Sequence, residues 1–356
     1  MTETLKKEKA TTVVEIIDLL QNDMRGEHAA IVQYLQHAYK LGEGEVPAEI
    51  EGIARDEMRH FRWLGEKIVQ LGGDPSMQRD PIFLDLDSNA PRFDLLLLDI
   101  DAEERAIVQY REHIEAIDRP DVKFVLQRIL KDELTHQQKF RGFVTEMGGD
   151  PNKQLPHSDT GPWNRSPDSA QQRNQDLEMN ENGQTREVDT TDESRDDHPL
   201  IKMLNQRIKE EYSTVLLYLH QAFKSQNWEL KSTLMLDTAV WHMTHLGTFS
   251  EAVAEDTQPD IQLEPDEIKQ LLQSEGGDDQ NFLAHAVKRE QKFAVNSRQL
   301  HELAEAAEHA AKTSNDKGKD EDEAAEGLEL ELSRIIVHDQ FQTAQLENML
   351  KGQTAI

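Results

Sequence analysis

Residues 27–34 read EHAAIVQY and residues 103–110 read EERAIVQY, a near repetition displaced by 76 positions. The same displacement carries Gly72-Gly73-Asp74-Pro75 onto Gly148-Gly149-Asp150-Pro151, Asp56-Glu57 onto Asp132-Glu133, and His60 onto His136. A fixed internal period marks a duplicated structural unit. In each copy a Glu is followed 30 positions later by Glu-x-x-His. Residues three apart share a helix face, so Glu57 with His60, and Glu133 with His136, can each converge on one point.

Outward from this repeat, apolar residues recur every three or four positions in segments of about 12–41, 46–71, 91–118 and 120–147. Pro47 and Pro120 stand near the starts of the second and fourth, where a missing amide is harmless, and the paired glycines stop the same two. Short loops join the first to the second and the third to the fourth, which makes antiparallel hairpins. The stretch from Asp74 to Ala90 is long enough for the single crossover of a four-helix bundle.

With 356 residues the chain exceeds what one core of roughly 250–300 residues serves. Residues 152–198 hold almost no aliphatic side chains and no periodicity, which predicts an extended or disordered acidic linker. The expected organisation is all-α: a four-helix bundle at 1–151, that linker, and a second, divergent bundle at 199–356, each bundle with one long crossover. A charged stretch at 313–327 reads as a solvated acidic loop in the second.

Composition narrows the function. A formal charge of −30, from 39 Lys and Arg against 69 Asp and Glu, disfavours nucleic acid and anionic membranes and favours cations. With 0 Cys there is no disulfide, no thiolate metal centre and no cysteine nucleophile. Any metal must be held by oxygen and imidazole. No run of apolar residues is long enough for a membrane span and the start lacks a signal-peptide pattern, so a soluble, cytoplasmic protein is expected.

Glu27, Glu57, His60, Glu103, Glu133 and His136 match, as a pattern, the ligand set of dinuclear iron or manganese carboxylate bundles. Four carboxylates neutralise two divalent ions. Residues 12–151 resemble the ferritin-like di-iron carboxylate superfamily, and Asp56-Glu57-Met58-Arg59-His60 is most similar to the corresponding stretch of bacterioferritins. The resemblance implies Glu27 and Glu103 as terminal ligands, Glu57 and Glu133 as bridges, and His60 and His136 as one imidazole per metal. It also implies that Asp56 and Asp132 accept a hydrogen bond from the metal-bound His of the opposing helix, which orients the ring.

Tyr34 and Tyr110, two turns beyond Glu27 and Glu103, are candidate redox residues, with core tyrosines as the plainer alternative. Met58 stands where bacterioferritins use a Met to bind haem, but most Met residues are packing and haem is not expected. His28, His37 and His113 read as ordinary polar residues.

The second half is a blurred copy. Glu211 through Leu219 resembles Glu27 through Leu35, and Trp241 through His245 falls on Asp56 through His60, which puts His242 in place of the bridging Glu. Glu290 stands for Glu103, and Asp339 with Gln342 for the last Glu-x-x-His. Glu211, His242, His245, Glu290 and Asp339 are thus candidate ligands for one ion or an asymmetric pair, with a bundle retained for assembly as the alternative.

The leading expectation is an iron oxidoreductase that oxidises Fe²⁺ with O₂ or H₂O₂, in the manner of bacterioferritin and rubrerythrin relatives. Its electron donor is unspecified, and a homo-oligomer is compatible with the sequence. A full rubrerythrin is excluded, since its cysteine-bound iron centre has no ligands here. The competitors are a manganese catalase, a di-iron oxygenase, or a metal-binding or structural two-bundle protein without turnover.

Overall fold

The computed structural model describes residues 12–42, 44–80, 82, 91–153, 199–254, 265–313 and 321–352. Among these residues the structure is helical. The chain divides into two compact units, Met1–Leu64 with Arg79–Ser194 and Gly65–Gln78 with Arg195–Ile356.

The two copies of the repeat form α1 (Val13–Leu41) with α2 (Glu45–Gln70), and α3 (Phe93–Ala116) with α4 (Pro120–Glu146). Local chemistry sets their ends. Thr12 and Glu15 form a reciprocal capping box at the start of α1. Pro120 opens α4, where its fixed φ suits the first turn. At the far end of α4 the Gly149 amide donates to the Val144 carbonyl at 2.8 Å, with Gly148 at φ +84°. This closes the helix in a Schellman turn that needs glycine for its left-handed residue. Gly149 is constrained by space instead: a Cβ there would come within 2.6 Å of Phe93 Cδ2. Leu20, Ile53, Leu126, Ile129, Phe140 and Val144 fill the interior.

The later part of the chain, in the second unit, forms α5 (Pro199–Lys224), α6 (Trp228–Ser232), a π-helical turn (Thr233–Thr238), α7 (Ala239–Ala254), α8 (Pro265–Glu275), α9 (Asp279–Thr313) and α10 (Glu321–Leu350). α5 packs on α7 and α9, and α10 on α7 and α9. The long connection between α7 and α9 contains a helix, α8. The acidic loop expected at 313–327 is shorter, because Thr313 ends α9 and 321–327 belongs to α10. Glu321, Asp322 and Glu323 suit a helix N-terminus and Ala324-Ala325 favour helix, so a composition read as loop also fits a first helical turn. Beyond Lys153, the linker expected at 152–198 lies outside the described residues, as do residues 314–320 of the loop.

Candidate metal centre

α1 and α3 each bring one Glu inward, and α2 and α4 each bring a Glu and a His. The six side chains are buried, none more than 4 % exposed. They form two groups in which every residue offers an atom within 4.8 Å of the others: Glu27, Glu57, His60 and Glu133, and Glu57, Glu103, Glu133 and His136. Glu57 and Glu133 belong to both groups. Each imidazole turns Nδ1 toward the carboxylates. His60 Nδ1 lies 2.8 Å from Glu57 Oε2, 3.0 Å from Glu133 Oε1 and 3.5 Å from Glu27 Oε2. His136 Nδ1 lies 2.8 Å from Glu57 Oε1 and 3.8 Å from Glu103 Oε1.

Burial of so many like charges disturbs their proton affinities. Burial, then the charges of Glu133 and Glu57, raises the carboxyls of Glu27 and Glu103 well above the usual range. Burial pushes Glu57 the same way, but His136 and His60 outweigh it and hold Glu57 below that range. Burial disfavours a charged His60, yet Glu27 and Glu57 outweigh it and raise its affinity for a proton. His136 is raised likewise, with Glu57 prevailing over burial. Even so, Glu57 Oε1, Glu103 Oε2, Glu133 Oε1 and His136 Nδ1 are buried with no well-directed hydrogen bond, close as the imidazoles lie to Glu57 and Glu133. Crowded, poorly satisfied polar atoms around a shared centre are the arrangement a pair of divalent cations would satisfy, and oxygen with imidazole donors suits iron or manganese.

Behind the ring, His60 Nε2 lies 3.5 Å from Asp132 Oδ2, and His136 Nε2 lies 3.3 Å from Asp56 Oδ2. The tyrosines cross between copies. Tyr34 on α1 donates its hydroxyl to Glu103 Oε1 on α3 at 2.7 Å, and Tyr110 on α3 donates to Glu27 on α1. Burial first, then the adjoining glutamates, holds both phenols well above their usual range. Position 27 meets 110 while 34 meets 103, so α1 and α3 run antiparallel and the two copies are related by a local two-fold.

The same relation accounts for residues set aside at the sequence level. His37 Nδ1 lies 2.8 Å from Asp99 Oδ1, which also accepts from Gln33 at 2.9 Å. His113 Nδ1 lies 2.7 Å from Asp23 Oδ1, which accepts from Gln109 at 2.8 Å. These histidines are buried partners of aspartates, and the signal that could have found them is again the displacement of 76, which carries Asp23, Gln33 and His37 onto Asp99, Gln109 and His113. His28 packs edge-on against Phe61.

In the second unit Glu211, His242 and His245 gather within 4.8 Å, all buried. Glu290 and Asp339 are near but engaged elsewhere. Glu290 Oε1 accepts from Tyr218 at 2.5 Å and lies 3.0 Å from His242 Nε2, while Asp339 Oδ2 accepts from Ser297 at 2.5 Å. His242 also contacts Glu211, and although burial disfavours its charge, Glu290 and Glu211 push its pKa up to about 10. The residue that sequence reasoning missed is Arg207. It is 1 % exposed, and its Nε donates to Glu211 Oε1 at 2.6 Å. With Glu211 laid on Glu27, Arg207 falls on Asp23, so a buried acid has become a buried base.

A family model of the ferritin-like domain matches residues 17–149. Among known proteins, the bacterioferritin of Desulfovibrio desulfuricans is 28 % identical over 143 residues, a span of 38 % of this chain and 78 % of that protein. No solved structure gives a significant match. No helix among the described residues is long and apolar enough to cross a membrane.

Proposed function

With residues 17–149 of the chain belonging to the ferritin-like family, we propose that the first unit is a dinuclear iron centre that oxidises Fe²⁺ with O₂ or H₂O₂. The observation that carries this is the pair of four-residue groups sharing Glu57 and Glu133. A bridged pair of irons supplies two electrons together, which avoids free one-electron products of the oxidant.

The protein's share is to hold, orient and seal. Glu27 with His60, and Glu103 with His136, would each hold one ion, with Glu57 and Glu133 spanning both. Asp132 and Asp56 take the Nε2 protons of the two rings, which leaves each Nδ1 lone pair facing inward. Tyr34 and Tyr110 stand as electron donors, each able to lose an electron while its proton passes to the glutamate its hydroxyl already meets. Burial of the whole set keeps bulk water out.

The test is anaerobic loading of the full chain with Fe²⁺, followed by measured additions of O₂ or H₂O₂. Oxidant consumption with formation of Fe³⁺ is expected. Its loss in Glu57→Ala at unchanged helix content is also expected, because helicity rests on packed apolar faces. Failure of the loaded protein to consume either oxidant, or full activity in Glu57→Ala, overturns the proposal.

A further inference from the structure

The second unit presents a different arrangement of the same kinds of side chain. His242 turns Nδ1 toward Glu211 Oε2, and its Nε2 lies 3.0 Å from Glu290 Oε1, which Tyr218 anchors at 2.5 Å. Nε2 donates to Glu290, and the proton that Nδ1 shares with Glu211 is the one a cation would displace. Glu290 is then a positioning residue and not a ligand. His245 repeats the pattern, with Nε2 at 3.4 Å from His338 Nδ1 and the two rings stacked at 5.7 Å and 7°. Its Nδ1 faces Glu211 Oε1 at 3.5 Å and Asp339 Oδ1 at 3.9 Å, and it has no hydrogen-bond partner. His245 is 1 % exposed, so bulk solvent does not satisfy that nitrogen. Two imidazole nitrogens and a carboxylate converge there, joined only by the proton between His242 and Glu211, and the buried, unsatisfied Nδ1 of His245 is costly without a cation beside it.

Arg207 sets how many cations are needed. Its Nε donates to Glu211 Oε1 at 2.6 Å, its Nη1 donates to the Phe293 carbonyl at 3.2 Å, and its Nη2 lies 3.5 Å from Asp339. Glu211, Glu290 and Asp339 bring three negative charges when ionised, and the guanidinium offsets one. The remainder is the charge of a single divalent ion. We propose that the second unit binds one divalent transition-metal ion through Glu211, His242 and His245, with the guanidinium of Arg207 supplying the positive charge that a second ion would bring. Two imidazoles and one carboxylate select first-row metals such as Fe²⁺, Co²⁺ or Zn²⁺ over Ca²⁺ or Mg²⁺.

Co²⁺ is a suitable probe, because its visible absorption reports imidazole ligation. The parent is the full chain with Glu57→Ala, His60→Ala, Glu133→Ala and His136→Ala, which removes the bridges and imidazoles of the first unit, so the outcome does not depend on what that unit does. One Co²⁺ per chain is expected after desalting, and none when His245→Ala is added, with helix content unchanged by circular dichroism. If His245→Ala lowers helix content, His245→Gln is read in its place. Absence of bound Co²⁺ in the parent, or its retention after replacement of His245 in a folded chain, overturns the proposal.

Discussion

Replacing Asp132 by Ala should weaken one of the two ions proposed for the first unit and spare the other. Asp132 stands behind His60 and Asp56 behind His136, at 3.5 and 3.3 Å from the respective Nε2 atoms. Asp132 is the better shielded, with 17 % of its side chain exposed against 36 % for Asp56. The hydrogen bond with His60, followed by Arg128 and Arg59, holds its carboxyl below the usual range, so at neutral pH it is a charged acceptor. Without it the ring of His60 is free to turn and to carry its proton on Nδ1, the atom that faces the carboxylates.

Loss of such a partner lowers metal affinity roughly 10–100-fold, which at about 1.4 kcal/mol per decade is about 1.4–2.8 kcal/mol. The local two-fold gives the two ions closely similar surroundings, so the unmodified centre should bind them as one class. In Asp132→Ala one ion keeps its affinity and the other falls by that factor, while Asp132→Asn, which keeps a carbonyl acceptor, falls between. Chelator competition with Co²⁺ on a full chain already carrying His245→Ala counts only the first unit's ions. Equal weakening of both ions, or no change in either, would refute the assignment of one aspartate to one imidazole.

Tyr34→Phe removes a hydroxyl that meets Glu103 but is not itself one of the six candidate ligands, so the ion count should hold while Fe²⁺ oxidation slows and any tyrosyl radical signal from that site disappears; unchanged turnover and an unchanged signal would remove Tyr34 from the chemistry. Stability of the metal-free protein should fall as pH rises from about 6 to about 8. Glu27, Glu103, His60 and His136 all bind their protons more tightly folded than at the reference values of 4.5 and 6.5, so the folded chain holds more protons in this window and loses that advantage on titration. Glu57, shifted the other way, acts only below 4.5. A thermal midpoint that rises over the interval would contradict the sign. Arg207→Met strips a buried guanidinium from Glu211 and Asp339, which should destabilise the second unit by about 3–5 kcal/mol; urea unfolding followed by circular dichroism checks this, and a loss under about 1 kcal/mol would show that the pair contributes little.

Much of the first unit is legible because its signals are local. The capping box at Thr12, Pro120 and the two Gly-Gly-Asp-Pro stops need only a few consecutive residues to act, and they place the ends of α1 to α4 within a few residues of where periodicity puts them. Glu-x-x-His is also local, since three positions suffice to share a face. What stays hidden depends on which helix lies opposite. Nothing near Tyr34 says that its hydroxyl meets Glu103, and His37 reads as ordinary until Asp99 is seen to face it. Arg207 is the sharpest case, because a base four residues before Glu211 reads as a solvated pair on a helix surface. Only the tertiary fold reveals that it is enclosed.

The two units balance buried negative charge in opposite ways, and the repeat explains the difference. In the first unit every acid near the centre has a mate 76 positions away, so duplication doubled the carboxylates and the imidazoles without adding a fixed positive charge among them. Only protons or cations from outside can compensate, which is why Glu27 and Glu103 are driven to hold protons. In the second unit the correspondence has decayed: Asp23 is answered by Arg207 and Glu57 by His242. Part of the compensation is thereby covalently attached, with Arg207 and, while no ion is held, a charged His242 set against Glu211 and Glu290. A centre that must import all its positive charge can exchange ions and couple that exchange to proton release. One that carries a fixed guanidinium has lost half of that capacity, which is why the proposed oxidation of iron is placed in the first unit.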